Sequence, residues 1–245
     1  MIPLKDNIPR IRKPVVIWII IALNVLVFAF EMLLPDEWRQ ALIVTYGAVP
    51  KRFVDPQWAA LAGFPDARWA TAVSYMFLHG GWLHIILNMW VLLVFADNVE
   101  DALGHWRFAL FYMLSGLAAL ALHVAVNSGS VQPVIGASGA IAGVMGAYLR
   151  LFPQGRVTVL IPIVFIPWIV EIPAVAFLGL WFAIQVLSGI AASMGDGESI
   201  AWWAHAGGFL FGMALARLLG TRDCRYCYVK ESRSYERRGP GHAGI

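Results

Sequence analysis

The stretch Gly136-Ala137-Ser138-Gly139-Ala140 places one serine among small residues, at the head of an apolar segment that continues to Phe152. Gly139, Gly143 and Ala147 are four residues apart in this segment. Small residues at that spacing let helices approach closely in a membrane. Ser138 has three interpretations: a helix N-cap, a small packing residue, or a nucleophile. The third interpretation requires a base elsewhere in the chain.

The composition of the chain is that of an integral membrane protein. Hydrophobic residues make up 60% of it and charged residues 13%, whereas a soluble domain averages roughly 45–50% and about 25%. The chain has 11 tryptophans, and this residue is enriched at membrane interfaces. The two cysteines, Cys224 and Cys227, lie in a polar C-terminal tail. They supply too few ligands for a structural zinc site, so we expect free thiols and no bound metal.

Six apolar segments are candidates for membrane-spanning helices, since a span needs about 20 residues. They are residues 14–34, 81–96, 106–126, 138–152, 171–192 and 201–220, of which the fourth is short. The sequence therefore predicts an all-α membrane protein whose 14–220 region forms a six-transmembrane-helix bundle. Residues 1–13 are expected to be a cytoplasmic tail, and the basic residues 221–245 a disordered one.

Two connecting stretches have a mixed character. Residues 35–80 are too polar to span a membrane and too apolar for a solvated linker, which predicts short amphipathic helices lying in the interface. Residues 157–167 are apolar and β-branched and contain two prolines. This composition predicts a buried piece of irregular or extended backbone.

The distribution of positive charge predicts the orientation of the bundle. All but four of the 18 Lys and Arg residues fall on the side of the two termini when six spans are counted. Positive residues concentrate in cytoplasmic loops, so both termini are expected in the cytoplasm. The second, fourth and sixth segments then begin at the outer side. The chain shows no targeting presequence, which favours a bacterial or archaeal plasma membrane.

A candidate base lies in the sixth segment. Polar side chains within spans are costly, so His205 needs a reason to be there. Its neighbours Ala204, Gly208 and Gly212 repeat the four-residue spacing of the fourth segment. If the two small-residue faces meet, His205 comes within hydrogen-bond reach of Ser138 at a similar depth. A packing serine and a buried histidine are the ordinary interpretations of each residue alone; together they predict a Ser–His dyad.

The second segment contributes two polar side chains that share one helical face. His84 and Asn88 are four residues apart and lie at the same predicted depth as Ser138. Both can donate to the oxyanion of a tetrahedral intermediate, and the Ser138 backbone N–H is a third donor. A structural hydrogen-bonded pair is the alternative. The acidic residues at 97, 100 and 101 are expected to close this span on the opposite side, which favours a dyad over a triad.

Several motifs resemble those of the rhomboid family of intramembrane serine proteases. They are Phe77-Leu78-His79-Gly80-Gly81-Trp82-Leu83-His84 with Asn88, Asn98-Val99-Glu100, Gly104 with Arg107-Phe108, Gly136-Ala137-Ser138-Gly139-Ala140, and Ala204-His205-Ala206-Gly207-Gly208 with Gly212. Their order across much of the chain makes the resemblance specific.

The resemblance implies a six-helix bundle with a water-filled cavity that opens outward and a membrane-associated first loop. It implies Ser138 as nucleophile, His205 as general base and acid, and His84, Asn88 and the Ser138 amide as the oxyanion hole. The implied activity is that of a serine endopeptidase, and its substrates are single-span membrane proteins cut within or near the span. Lipid is the other implied partner; neither a cofactor nor a nucleic acid is expected.

One position departs from the family pattern. Some members carry an aromatic residue one turn after the serine, stacked on the histidine, whereas this chain has Ala142. What holds His205 is therefore open. A non-catalytic relative that binds transmembrane helices is the alternative function, and loss of the serine or the histidine would be its signature. A transporter or channel would predict internal repeats, and none is evident in the sequence.

Overall fold

The computed structural model describes residues 1–66, 68–163, 166–194, 201–219 and 227. The fold is mostly helical. The long helices are α1 Val15–Leu33, α6 Trp82–Leu103, α7 His105–Val126, α8 Ser138–Leu151, α9 Ala174–Ser193 and α10 Trp202–Leu219. Between α1 and α6 lie the short helices α2 Asp36–Tyr46, α3 Pro50–Val54, α4 Pro56–Leu61 and α5 Arg68–Ser74, followed by a 3-10 turn, Tyr75–Phe77.

The helices of the described chain make the protein an integral membrane protein. Four of them, α1, α6, α7 and α9, are long and apolar enough to cross a bilayer. Helix α8 has only 14 residues, and all those from Gly139 to Tyr148 are buried. Helix α10 is 18 residues long and carries His205 and Arg217. Helices α8 and α10, which bear the predicted dyad, are therefore shorter than the other four long helices, and α10 also carries polar side chains.

An antiparallel sheet corrects the all-α prediction to a mostly helical fold. The described strands are β1 Ile2–Asp6, β2 Arg156–Ile163 and β3 Ile166–Pro173, in the order β1-β2-β3. The first strand belongs to the segment that was expected to be a plain tail. The β-branched run of β2 favours a strand, and its backbone groups pair with β3 along its length and with β1 over residues 157–160. Residues 171–173 pair within β3, so the fifth long helix starts at 174 instead of 171.

Helix α6 continues past the predicted end at residue 96 to Leu103, because its acidic residues have specific partners. The Glu100 carboxylate accepts hydrogen bonds from the backbone N–H groups of Val16 and Ile17 at 2.9 and 3.0 Å. These N–H groups belong to the first turn of α1, where a negative charge is favourable. The Asp101 carboxylate likewise accepts from the N–H groups of Ile11 and Arg12. The end of α6 thus anchors the start of α1.

The connection between α1 and α6 is built from short helices, as predicted, and is held by polar contacts. The buried guanidinium of Arg52 donates to the carbonyl oxygens of Thr45 and Pro65 at 2.9 and 2.6 Å. Burial lowers the pKa of Arg52. Ala48 exchanges two backbone hydrogen bonds with Val134, of 3.0 and 2.9 Å. This pairing ties the connection to the loop that leads into α8.

At the C-terminal end, Cys227 is buried and disulfide-bonded, so the expectation of free thiols is wrong for this residue. The remainder of the predicted tail, residues 221–226 and 228–245, lies outside the described residues.

Helix α8 lies at the centre of the bundle, in contact with α6, α7 and α10. The two small-residue faces meet as predicted: Gly208 packs on the backbone of Gly139, and Gly212 packs on that of Gly143. A Cβ on Gly143 would also collide with the Ser115 side chain of α7. Helices packed this closely leave no room for larger residues at these positions.

Candidate active site

Ser138 and His205 form the centre of the site. Ser138 is the first residue of α8, and its Oγ lies 2.7 Å from Nε2 of His205 on α10. The N-cap position of α8 belongs to Ala137, so the N-cap interpretation of Ser138 does not apply. The packing of α8 on α10 brings the serine and the histidine into the contact predicted from the sequence.

The second ring nitrogen of His205 contacts a residue that the sequence argument missed. His205 Nδ1 lies 2.7 Å from Oε1 of Gln185, on α9. The Gln185 Nε2 group donates to the carbonyl oxygen of Trp181 at 3.4 Å, which orients the amide with its oxygen toward the ring. In the neutral ring, Nδ1 then carries the proton, and Nε2 is free to accept from the Ser138 hydroxyl.

Aromatic rings complete the surroundings of His205. The Trp181 ring lies 6.0 Å from the imidazole at an interplanar angle of 34°, and the Trp202 ring lies 6.4 Å away, edge-on. Ala142 is buried and offers no ring. The orientation that was left open is therefore provided by α9 and by the start of α10. A signal existed in the sequence: Gln185 is the one amide side chain in the predicted fifth span.

The side chains of His84 and Asn88 both lie beside Gly136. The Gly80 N–H donates to His84 Nδ1 at 3.3 Å, so in the neutral ring Nε2 carries the hydrogen. A Cβ placed on Gly136 would lie 2.7 Å from His84 Nε2 and 3.7 Å from Asn88 Nδ2. The Asn88 amide nitrogen is buried and has no hydrogen-bond partner among the described residues. Two N–H donors therefore face the space beside Gly136, two residues before Ser138.

Gly136 keeps this space open. Its φ is +114°, a backbone conformation that side chains other than glycine rarely adopt. Its N–H donates to the carbonyl oxygen of Tyr75 at 2.8 Å, which fixes the turn before α8. The Ser138 N–H lies at the first position of α8, where the helix itself provides no acceptor. It is the third donor predicted from the sequence.

A cavity of about 440 Å³ opens onto the serine and the histidine. Its walls are His84, Gln132, Pro133, Val134, Ile135, Ser138, Ala201 and His205. The Val134 backbone is held by its pairing with Ala48, so this wall is part of a fixed structure. The volume is in the range of ordinary ligand pockets and can accept a short stretch of peptide.

A third histidine, His79, packs against His84. The two rings are 5.1 Å apart and nearly perpendicular. Burial, together with the neighbouring His84, lowers the pKa of His79 to about 4, so its ring is neutral at pH 7. The His79 backbone N–H donates to the buried carboxylate of Glu31, which connects α1 to this loop.

The described residues contain no group of three or more His, Cys, Asp or Glu side chains placed to hold a metal ion.

The family comparison agrees with this arrangement. Residues 66–222 match the family described as Rhomboid domain, which is more than half of the chain. The chain belongs to the rhomboid family. The matched region includes all four residues singled out from the sequence, His84, Asn88, Ser138 and His205.

Curated relatives share moderate similarity with the chain. Rhomboid-type serine protease 2 of Emericella nidulans is 28% identical over 154 residues, which cover 62% of this chain and 27% of that protein. RHOMBOID-like protein 4 of Arabidopsis thaliana is 27% identical over 172 residues, covering 69% and 37%. Presenilin-associated rhomboid-like protein, mitochondrial, of Bos taurus is 30% identical over 144 residues, covering 56% and 34%.

The chain thus spans about a quarter to just over a third of the length of these relatives. All three come from eukaryotes, and one is mitochondrial by name. The prokaryotic plasma membrane expected from the sequence finds no support in them.

Proposed function

We propose that the protein is an intramembrane serine endopeptidase that cleaves single-span membrane proteins within or near the transmembrane helix. The observation that carries this proposal is the 2.7 Å contact between Ser138 Oγ and His205 Nε2 at the wall of a peptide-sized cavity. A serine hydroxyl is a weak nucleophile until a base takes its proton. His205 is that base, because its Nε2 faces the hydroxyl in the neutral form of the ring.

The reaction begins with transfer of the Ser138 hydroxyl proton to His205 Nε2. Ser138 Oγ forms a bond to the scissile carbonyl carbon, and the carbonyl electrons move onto the oxygen. The N–H donors of His84, Asn88 and the Ser138 amide stabilise this oxyanion. His205 then gives the proton to the amine as the C–N bond breaks. Water attacks the resulting acyl-enzyme with His205 again as base, which restores Ser138.

The fold suggests how a transmembrane substrate reaches the serine. Ser138 lies at the start of a short helix in the centre of the bundle, so a substrate helix has to unwind locally before a carbonyl carbon reaches Oγ. Small or helix-breaking residues lower the cost of unwinding, and we expect cleavage beside such residues. We further propose that α8 and α10 complete a six-span bundle, that the short helices after α1 lie in the interface, and that both termini are cytoplasmic.

The alternative function is a non-catalytic protein that binds transmembrane helices. Such a protein needs a surface that binds a transmembrane helix but does not need an activated serine. Two observations favour the protease: the intact Ser138–His205 pair, and the Asn88 amide nitrogen, which has no hydrogen-bond partner among the residues that the structure describes.

The test is cleavage of single-span substrates by the full chain reconstituted in liposomes, combined with labelling by a fluorophosphonate probe. We expect wild-type protein to cleave and to be labelled at Ser138. Ser138→Ala and His205→Ala should each abolish both signals. Ser188→Ala on α9 is the matched control, since it removes a half-buried serine outside the site, and it should retain both. Cleavage by the Ser138→Ala variant at the wild-type rate would rule out the proposal.

A further inference from the structure

Helix α9 contributes a buried amide to the site. Gln185 is only 5% exposed, although most of the surrounding surface of α9 is exposed and apolar. A buried polar side chain in a membrane helix is costly unless its hydrogen bonds are made. Both ends of the Gln185 amide have a partner: Nε2 donates to the Trp181 carbonyl, and Oε1 faces His205 Nδ1.

The donor and the acceptor of each of these two hydrogen bonds are determined. Because the Trp181 carbonyl can only accept, it holds the NH2 end of the amide, and the oxygen end is left for the imidazole. His205 Nδ1 must then be a donor, and Nε2 must be the unprotonated nitrogen that faces Ser138. The reversed tautomer would place an N–H against the serine hydroxyl and leave His205 unable to accept its proton.

We propose that Gln185 is a positioning residue that completes a Ser138–His205–Gln185 triad, holding His205 in the tautomer that can act as a base. This inference rests on the proposed protease function. The dyad expected from the sequence becomes a triad whose third member is neutral. When His205 accepts the serine proton, its Nδ1–H bond to Gln185 becomes charge-assisted and strengthens.

A neutral third member suits the membrane. A buried carboxylate would carry the large desolvation penalty of any ion taken from water. An amide provides the same acceptor geometry at a smaller desolvation cost. Among the described residues, His205 hydrogen-bonds to two side chains, Gln185 and Ser138. Gln185 is thus the acceptor that directs the His205 proton.

The orientation of His205 also depends on the position of α9. Helix α9 packs on α10 through Phe182, which stacks on Phe209 with ring centroids 4.7 Å apart. Trp181 lies 6.0 Å from the same Phe209 ring. Gln185 is one turn further along this face, so the His205 hydrogen bond forms only when α9 is packed against α10.

Three variants test the proposal in the full chain. Gln185→Met keeps the length of the side chain and removes the acceptor, Gln185→Glu keeps an acceptor, and Leu187→Ala changes a 66% exposed residue on the lipid side of the same helix. We expect Gln185→Met to lower kcat about 10- to 100-fold, with KM within about twofold of wild type, because Gln185 acts through His205 and not on the substrate. Gln185→Glu should recover most of kcat in its protonated form, because a neutral carboxyl group can donate to the Trp181 carbonyl and accept from His205 Nδ1. Leu187→Ala should match wild type.

A spectroscopic measurement separates this inference from the protease proposal. In protein labelled with ¹⁵N-histidine, the His205 resonances should report a protonated Nδ1 and an unprotonated Nε2. Gln185→Met should convert this pattern to a mixture of tautomers. A Gln185-dependent tautomer in a protein that cleaves no substrate would support the positioning contact and overturn the protease. An unchanged tautomer, or an unchanged kcat, in folded Gln185→Met protein would overturn the positioning role.

Discussion

Gly212 of α10 lies directly on the backbone of Gly143 of α8, so that a Cβ on Gly212 would collide with the Gly143 carbonyl group and lie 2.5 Å from its Cα. Gly208 lies on Gly139 in the same way one turn earlier. The two contacts have the same offset along both helices, as in parallel packing. This packing determines the register that sets His205 against Ser138.

The first prediction concerns this register. Gly212→Ala should destabilise the protein by about 3 kcal/mol, the upper end of what overpacking costs, because backbone rather than a flexible side chain stands in the way. The same change should reduce fluorophosphonate labelling of Ser138, since α10 must move away from α8. Thermal unfolding in detergent and the labelling rate measure the two effects.

Gly179→Ala on α9 is the matched control for this prediction. A Cβ there would meet no described atom within 4 Å, so the substitution adds a methyl group at the surface. We expect no loss of stability or labelling. Equal stability and equal labelling of the Gly212→Ala and Gly179→Ala variants would contradict the close packing of α8 on α10.

The second prediction concerns the space beside Gly136. Gly136→Ala should reduce kcat by about 10²–10³, the usual effect of losing an oxyanion donor, because its Cβ would lie against His84 Nε2. His84→Ala and Asn88→Ala should have effects of similar size, and each should spare KM. Steady-state kinetics on a reconstituted substrate give both constants. Wild-type kcat in the Asn88→Ala variant would exclude Asn88 as an oxyanion donor.

The third prediction concerns Asp6, which contacts α8 near the end opposite Ser138. Asp6 Oδ2 accepts hydrogen bonds from the Tyr148 hydroxyl at 2.6 Å and from the Asn98 amide at 2.7 Å. Burial raises the pKa of Asp6 from 3.8 to about 7, the hydrogen bond from Tyr148 opposes the shift, and the neighbouring Asp97 adds to it. The folded protein therefore keeps the Asp6 proton at pH values where the unfolded chain has lost it.

It follows that the Asp6 contribution to stability falls as the pH rises from about 4 to about 7, by about 1.4 kcal/mol for each pH unit. Asp6→Asn cannot titrate, so its free energy of unfolding relative to wild type should increase over this range and level off above it. Chemical denaturation in detergent at several pH values measures the difference. A difference that does not change with pH would show that Asp6 is ionised at its ordinary pKa.

The fourth prediction has the opposite sign and concerns His79. Its ring is fully buried, Nδ1 contacts the Phe77 carbonyl oxygen at 3.3 Å, and Nε2 has no hydrogen-bond partner among the described residues. Because the pKa of His79 is lowered to about 4, the unfolded chain gains a proton below about pH 6.5 that the folded protein does not bind. The stability contributed by neutral His79 is therefore lost as the pH falls from about 6.5 to about 4.

His79→Gln removes this titration and keeps a donor for the Phe77 carbonyl oxygen. Relative to wild type, the variant should become more stable as the medium is acidified, again by about 1.4 kcal/mol for each pH unit. The groups that face the ring, Glu31 and His84, are retained in both proteins, so their contributions largely cancel in the comparison. A difference in the free energy of unfolding between the two proteins that is the same at acid and at neutral pH would contradict the prediction.

Much of the fold could be predicted because its signals are local. An apolar run of about 20 residues has few alternatives to a membrane helix, since every backbone group in lipid must be hydrogen-bonded within the segment. Small residues at four-residue spacing marked the faces of α8 and α10 that meet. His84 and Asn88 share a helical face by spacing alone. These inferences needed no knowledge of which distant residues become neighbours.

The missed features depend on distant partners. The strand Ile2–Asp6 pairs with residues 157–160, far along the chain, so its own sequence carries little sign of a sheet. The α6 helix extends through Glu100 because that carboxylate finds the first turn of α1. Hydropathy alone counts such a residue as the end of a span.

The sequence by itself determined a membrane-embedded helical protein of the rhomboid type and its candidate nucleophile, base and two N–H donors, because these follow from composition, spacing and motif. Only the tertiary structure decided which group faces the second nitrogen of His205. That choice depends on how α9 packs against α10 and on the direction of one amide, Gln185, whose two hydrogen bonds link residues that the sequence does not relate. This packing orients His205 against Ser138.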